Sequence, residues 1–218
     1  MLIPKQITNS LDVAGFNNKQ HVQNLGKFIS KLPSGSRVLE IGVGWGRTTW
    51  EIMDNLPEGS QLESCDTFAM NNPQLVNHHI TNVSKKHSNN SAIMYQMNEY
   101  KQKGQRAAFD LAVKQHKHYR KFMKKVHHCT SLEVLKNDVA WDCVYIDGLH
   151  TYDNVSKELK LLENVKYLCG DDYHPFHEGC KRAVDEFIER TGRQLIHDTF
   201  ESGSGFWYCI KEETDSNG

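Results

Sequence analysis

Long apolar runs are missing from this 218-residue chain, and none approaches the length that crosses a bilayer, so no membrane span is expected. MLIPKQITNS has no basic stretch leading into an apolar one; no secretory signal is expected, and the chain reads as cytoplasmic. Charge of one sign is not in excess. With 26 Lys and Arg against 27 Asp and Glu the formal net charge is −1, which argues against nucleic acid or an anionic membrane as a global partner. The six cysteines (Cys65, Cys129, Cys143, Cys169, Cys180, Cys209) lie far apart without CxxC spacing, and several sit in apolar, strand-like runs where a reduced, buried thiol is expected. No internal repeat stands out.

What is present is an alternation of helix and strand patterns in one domain over residues 1–218. Val22, Leu25, Ile29 and Leu32 recur at helical spacing. Pro33-Ser34-Gly35 ends that helix, and SRVLEIG reads as a buried first strand. RTTWEIMDNL forms a helix closed by Pro57-Glu58-Gly59, and SQLESCDTF a second strand ending near Asp66. VHHCTS (126–131) is the third strand, SLEVLKN a short helix, and WDCVYID the fourth strand. Val155, Leu159 and Leu162 mark the next helix, VKYLCGDD the fifth strand, and Ala183, Val184, Phe187 and Ile188 another helix. QLIHDTF and GFWYCIKEE finish as strands with only a short stretch containing GSG at their junction, which predicts an antiparallel edge hairpin; the polar EETDSNG end is expected to fray. The fold class is therefore α/β: a Rossmann-like, doubly wound, mostly parallel seven-stranded sheet.

Residues 72–124 break the alternation. They are polar and helix-prone, with Ala112, His116, Tyr119, Met123 and Val126 spaced along one helical face, and they read as a helical cap inserted between strands two and three. Residues 101–128 hold Lys101, Lys103, Arg106, Lys114, Lys117, Arg120, Lys121, Lys124 and Lys125 against one acid, Asp110. This is either a solvated helix face or a cap that attracts an anionic acceptor or, failing that, a nucleic acid.

VLEIGVGWGRTT joins the first strand to the first helix after it through Gly42, Gly44 and Gly46, residues that let the backbone turn sharply and a ligand come close. The spacing is GxGxG, neither the dinucleotide GxGxxG nor a phosphate loop. Glu40 precedes the turn and Asp66 ends the next strand; an acid in Asp66's position can accept from both ribose hydroxyls, so a nucleoside suits the site. Glu40 through Gly46 match E-x-G-x-G-x-G, and with it the chain resembles the class I S-adenosylmethionine-dependent methyltransferases. The resemblance implies that Glu40, Gly42 and Gly44 serve the cofactor, that Asp66 holds its ribose, and that Thr130 and Ser131 lie along its adenine.

The fourth strand ends in Asp147, with His150 three residues on, and the fifth in Asp171-Asp172. If strands one, four and five are neighbours, these acids emerge beside the glycine turn, where ligands bind in open parallel sheets. Three crowded carboxylates repel unless a cation joins them, and Mg²⁺ suits carboxylates plus waters. IDGLHTY, GDD and AVDEF together resemble the metal-dependent small-molecule O-methyltransferases that act on sugars and macrolide sugars, close to cephalosporin-hydroxylase-like proteins; the likeness spans roughly residues 20–210 outside the cap. It implies Asp147, Asp171 and Asp172 as Mg²⁺ ligands, His150 as general base, and O-methylation of a small hydroxylated acceptor. Two alternatives stay open: a non-haem iron oxygenase using His174, His177 and Asp172, and a nucleic-acid-binding or -modifying protein using the basic cap.

Overall fold

The computed structural model describes residues 6–137, 139–199 and 205–212. Helix α1 (Lys19–Ile29), N-capped by Asn18, leads into β1 (Arg37–Ile41); α2 (Arg47–Asn55) and β2 (Gln61–Asp66) follow. Four helices come next, α3 (Pro73–His87), α4 (Ser91–Lys103), α5 (Gln105–Val113) and the short α6 (Tyr119–Phe122), before β3 (Met123–His128). Then come α7 (Ser131–Leu135), β4 (Cys143–Ile146), α8 (Tyr152–Leu161), β5 (Tyr167–Gly170), α9 (Glu178–Thr191), β6 (Leu195–Thr199) and β7 (Gly205–Ile210). The sheet order is β3-β2-β1-β4-β5-β7-β6, with β7 antiparallel to both its neighbours and every other pairing parallel. The expected fold class and antiparallel edge pair are what the chain adopts; the GSG turn and the polar C-terminal end lie, but for Gly205 and Glu212, outside the described residues.

Strand alternation sends successive side chains to opposite faces, and helices cover both. Leu39, Val144 and Leu168 pack with Val155 and Leu159 of α8 and Val184 and Phe187 of α9. Val38, Cys143 and Cys169 face the other way, against Leu25 and Ile29 of α1, Ile52 and Met53 of α2, and Phe109 and Val113 of α5. All six cysteines are free thiols, five of them buried. Among the described residues no helix is long and apolar enough to cross a membrane.

The parallel register levels the carboxyl ends of four strands. Ile41 is paired with Cys65 on one side and Ile146 on the other, and Ile146 with Gly170. The next residues, Gly42, Asp66, Asp147 and Asp171, therefore leave the sheet in one row, at the switch point between β1 and β4 where such sheets open a crevice.

Two expectations need correction. The third strand begins three residues earlier than VHHCTS, at Met123, and the helical face drawn through Ala112, His116, Tyr119, Met123 and Val126 is not one helix. The chain turns at 114–118, where His116 Nδ1 accepts from the backbone N–H of His118, and Met123 and Val126 belong to the strand beside β2. A four-three spacing across a turn arose without a continuous helix beneath it.

Within the insertion, Ile93, Met97, Tyr100 and Ala108 form a small core of their own with Ala14 and Trp45. Yet Phe109 of α5 is 0% exposed and packs into the main core with Val43 and Phe68. Phe109→Ala should therefore cost about 3–5 kcal/mol in denaturant unfolding, the loss for a buried aromatic; a cost below about 1 kcal/mol would mean that α5 is peripheral to folding.

Candidate active site at the carboxyl edge of the sheet

Gly42 has φ 81°, and a Cβ there would stand 2.0 Å from the carbonyl oxygen of Asp147, so only glycine lets the turn lie against β4. Gly44 has φ 52° and open space where its Cβ would be, which makes the turn a cradle. Asp66 ties the cradle to β2: its Oδ2 accepts from the Val43 N–H (3.0 Å) and from Gln105 Nε2 (3.3 Å), its Oδ1 from the Phe68 N–H (2.6 Å). Gln105, from α5, also donates to the Gly44 carbonyl at 3.1 Å. The insertion thus helps to build the wall of this turn.

Glu40 does not join the cavity. It is fully buried behind the turn, where the hydroxyls of Thr48 and Thr49 (both 2.7 Å) and Ser64 (2.8 Å) donate to its two oxygens. Two residues before the first glycine, Glu40 lies on the face that carries α2 but below the carboxyl edge, where the first turn of that helix covers it. Its part in cofactor binding is corrected to one of fastening α2 and β2 to the turn. Burial pushes its carboxyl up to about 7; the three hydroxyls pull it back, and the nearby Asp66 charge adds to the rise.

The acids at the ends of β4 and β5 form a dense cluster. Asp147 Oδ2 accepts from Tyr145 Oη at 3.0 Å and from Asn17 Nδ2 at 3.3 Å, and the same Asn17 nitrogen donates to Asp171 Oδ2 at 2.7 Å. His21 spans the other side, Nε2 2.9 Å from Tyr145 Oη and Nδ1 3.3 Å from Asp171 Oδ1. The backbone N–H groups of Asp172 (2.7 Å) and Gly205 (3.3 Å) also reach Asp171 Oδ1. Burial, then the charges of Asp171 and Asp172, hold the Asp147 carboxyl well above its usual range, against the pull of Asn17 and Tyr145. Asp171 goes the other way: burial raises it, but His21 and the two backbone donors more than offset that and leave it low.

Asp172 sits at φ 62°, a left-handed conformation that, glycine apart, asparagine and aspartate enter more readily than other residues. It is thereby turned to meet His150 Nδ1 at Oδ2 and His177 Nε2, 3.1 Å away, at Oδ1. Burial lowers the His150 imidazole, yet its hydrogen bond to Asp172 and the surrounding carboxylates raise it by more, for a net increase. His150 remains 41% exposed to the cavity mouth. One donor atom each from Asp147, His150 and Asp172 lie within 4.8 Å of one another, as metal-binding groups do. Asp171 is outside that trio but close by, joined to Asp147 through Asn17.

These groups line a cavity of about 760 Å³ that runs from Asp66 and Gly44 past Asp147 to His150 and His177. Thr130 and Ser131 border it too, with Thr130 also capping α7 in a reciprocal pair with Glu133. None of the nine basic residues of 101–128 borders it. Several are instead paired on the surface: Lys103 with Glu99, Arg106 and Lys114 with Asp110, Lys121 with Glu58. His174 is likewise outside the lining, its Nδ1 accepting from the Phe176 N–H in a tight turn. Sequence reasoning missed Asn17, His21, Tyr145 and Gln105. The segment carrying Asn17 is pinned by buried Arg47, whose Nε and Nη1 donate to the carbonyls of Val13 (2.9 Å) and Asn17 (2.6 Å). Burial lowers that guanidinium to about 10.

Solved structures share this architecture over nearly the whole chain. A Klebsiella pneumoniae protein described as a candidate O-methyltransferase is similar with a TM-score of 0.52 and 18% identity, over 90% of this chain and 82% of that one. The O-methyltransferase of Bacillus cereus in complex with SAH gives 0.50 and 13% over 90% and 83%. Precorrin-6y C5,15-methyltransferase of Geobacter metallireducens gives 0.52 and 12% over 90% and 91%. At such identities the likeness is one of fold: the Rossmann-like, seven-stranded mixed sheet that these methyltransferase structures share. No protein-family model matches the sequence, and no curated protein does.

Glu40 makes the stability of this framework pH-dependent. Its folded-state pKa of about 7 lies above the ordinary 4.5, so its stabilising contribution is complete below pH 4.5 and is lost as pH rises through 7. Glu40→Gln should flatten the fall in unfolding free energy between pH 5 and 8 by about 2–3 kcal/mol, read from denaturant midpoints. Parallel wild-type and variant profiles would show that Glu40 is not titrating there.

Proposed function

We propose that this chain is an S-adenosylmethionine-dependent methyltransferase that transfers a methyl group to a hydroxyl oxygen of a small acceptor. The observation carrying the proposal is the continuity of one cavity from the cradle at Gly44 and Asp66 to the acid and imidazole cluster at Asp147, Asp172 and His150. The fold shared with methyltransferases supports it, and so does the fit of the donors. Asp66, Thr130 and Ser131 all line this cavity, and on this reading Asp66 would accept from the ribose hydroxyls and Thr130 and Ser131 would lie along the base.

S-Adenosylmethionine supplies a methyl group already activated on sulfonium, which leaves the protein the tasks of alignment and proton removal. The crowding of Asp147, Asp171 and Asp172 is a donor set suited to a hard divalent cation such as Mg²⁺. Those three residues would hold it, and the chemistry it supplies is to lower the pKa of an acceptor hydroxyl. Asp172 fixes His150 by its Nδ1 and leaves Nε2 free to take the hydroxyl proton. The neighbouring carboxylates stabilise the imidazolium so formed. Leu149, 63% exposed beside His150, and Phe16, 57% exposed on the other wall, offer the acceptor apolar contact. With no lysine of the insertion in the cavity, an uncharged acceptor suits it better than an anionic one.

An iron oxygenase is the second reading: of the set His174, His177 and Asp172 expected for it, Asp172 contacts His177, while His174 lies outside the cavity and His150 is the second histidine beside Asp172. Iron content and dioxygen consumption by the purified protein separate the two.

Calorimetry with S-adenosylhomocysteine, with and without Mg²⁺, should show binding in both conditions; absence in both removes the main reading. His150→Ala should leave that binding nearly intact while lowering the release of S-adenosylhomocysteine from S-adenosylmethionine, across a panel of neutral hydroxylated acceptors, by about 10²–10⁴. Full turnover in the variant would show that another group takes the proton.

A further inference from the structure

We propose that Asn17 is a fourth oxygen ligand of the cation site, presented by rotation of its side-chain amide. The inference rests on the methyltransferase reading only for the presence of a divalent cation among Asp147, Asp171 and Asp172. Asn17 is 8% exposed and borders the cavity, and its Nδ2 lies 2.7 Å from Asp171 Oδ2 and 3.3 Å from Asp147 Oδ2. Adjacent ligands of an octahedral Mg²⁺, each about 2.1 Å from the ion, stand roughly 3 Å apart. The amide nitrogen therefore occupies, relative to the two carboxylates, the place a third ligand would take.

An amide is nearly symmetric in shape, and its orientation is chosen by its neighbours. Facing two bare carboxylates it turns its N–H groups toward them, standing in for a cation. Facing carboxylates that hold a cation it turns its oxygen, because the ion repels N–H and attracts the carbonyl. The turn gives up the two Nδ2 bonds to Asp147 and Asp171, whose oxygens the ion would then satisfy, and nothing at Oδ1, which accepts no hydrogen bond from any described residue. The backbone need not move, because Arg47 clamps the Asn17 carbonyl at 2.6 Å. The segment is thus rigid while the amide is free to reverse.

The test is cation binding by the full chain, measured by titration calorimetry with MgCl₂ alone for wild type, Asn17→Leu and Asn17→Asp, with thermal melts and S-adenosylhomocysteine binding to check folding. Asn17→Leu keeps the size and removes the oxygen, and should weaken Mg²⁺ by about tenfold or more. Asn17→Asp keeps an oxygen that no rotation can replace by N–H. It should melt earlier without Mg²⁺, through repulsion with Asp147 and Asp171, and gain more from Mg²⁺ than wild type does. Equal or tighter binding by Asn17→Leu overturns the proposal, because a mere strut between two carboxylates would free them for the ion when removed. If Asn17→Leu fails to fold, Asn17→Asp decides alone: no larger gain from Mg²⁺ than wild type overturns the proposal. Wild type that binds S-adenosylhomocysteine but no Mg²⁺ overturns this inference and leaves methyl transfer standing; wild type that binds neither removes both.

Discussion

A missing side chain joins the two halves of the site. At Gly42 even a methyl group would sit 2.0 Å from the Asp147 carbonyl, so the turn after β1 can lie directly on the end of β4. The Asp147 N–H completes the contact by donating to the Ile41 carbonyl at 2.8 Å. The cradle at Gly44 and the carboxylate of Asp147 are consequently set relative to each other by backbone, the least adjustable part of the molecule. Proximity of two binding regions is worth most when it is built in before any ligand arrives.

That juxtaposition has an electrostatic cost, since it brings buried acids close together. The N-terminal segment offsets it. Asn17 bridges Asp147 and Asp171, and His21 and Tyr145 close a ring of polar contacts around them. Arg47, the first residue of α2, fixes the segment by its backbone. A helix that begins at the cradle therefore also holds the strap that quiets the acids. Buried carboxylates left without such donors would each cost several kcal/mol.

Much of this was legible in the sequence, and the failures have physical causes. Apolar runs ending in Asp66, Asp147 and Asp171 marked strands whose carboxyl ends share one edge, and the parallel register puts those residues in one row. Glu40 was misassigned because a motif places a residue along a strand but does not say what packs over it; the hydroxyls of Thr48, Thr49 and Ser64 claim it for the core. Asn17 and His21 left no local signal, because their partners Asp147, Asp171 and Tyr145 lie 130, 154 and 124 residues away. The basic run was visible, but Asp54 and Glu58, which pair with Lys117 and Lys121, lie far outside it in sequence and come near only through folding.

The insertion also has a bearing on how the sheet assembles. β2 and β3 lie side by side, yet residues 67–122 separate them, so their pairing must close a long excursion. The entropy of closure grows only slowly with length, and the helices of the insertion, packed on one another, shorten the path that the pairing has to close. In a chain made from its N-terminus, β1 and β2 exist long before the edge strand that shelters β2. Until β3 arrives, the open flank of β2 is a place where another chain could add, and timely folding of the insertion is what keeps that interval brief.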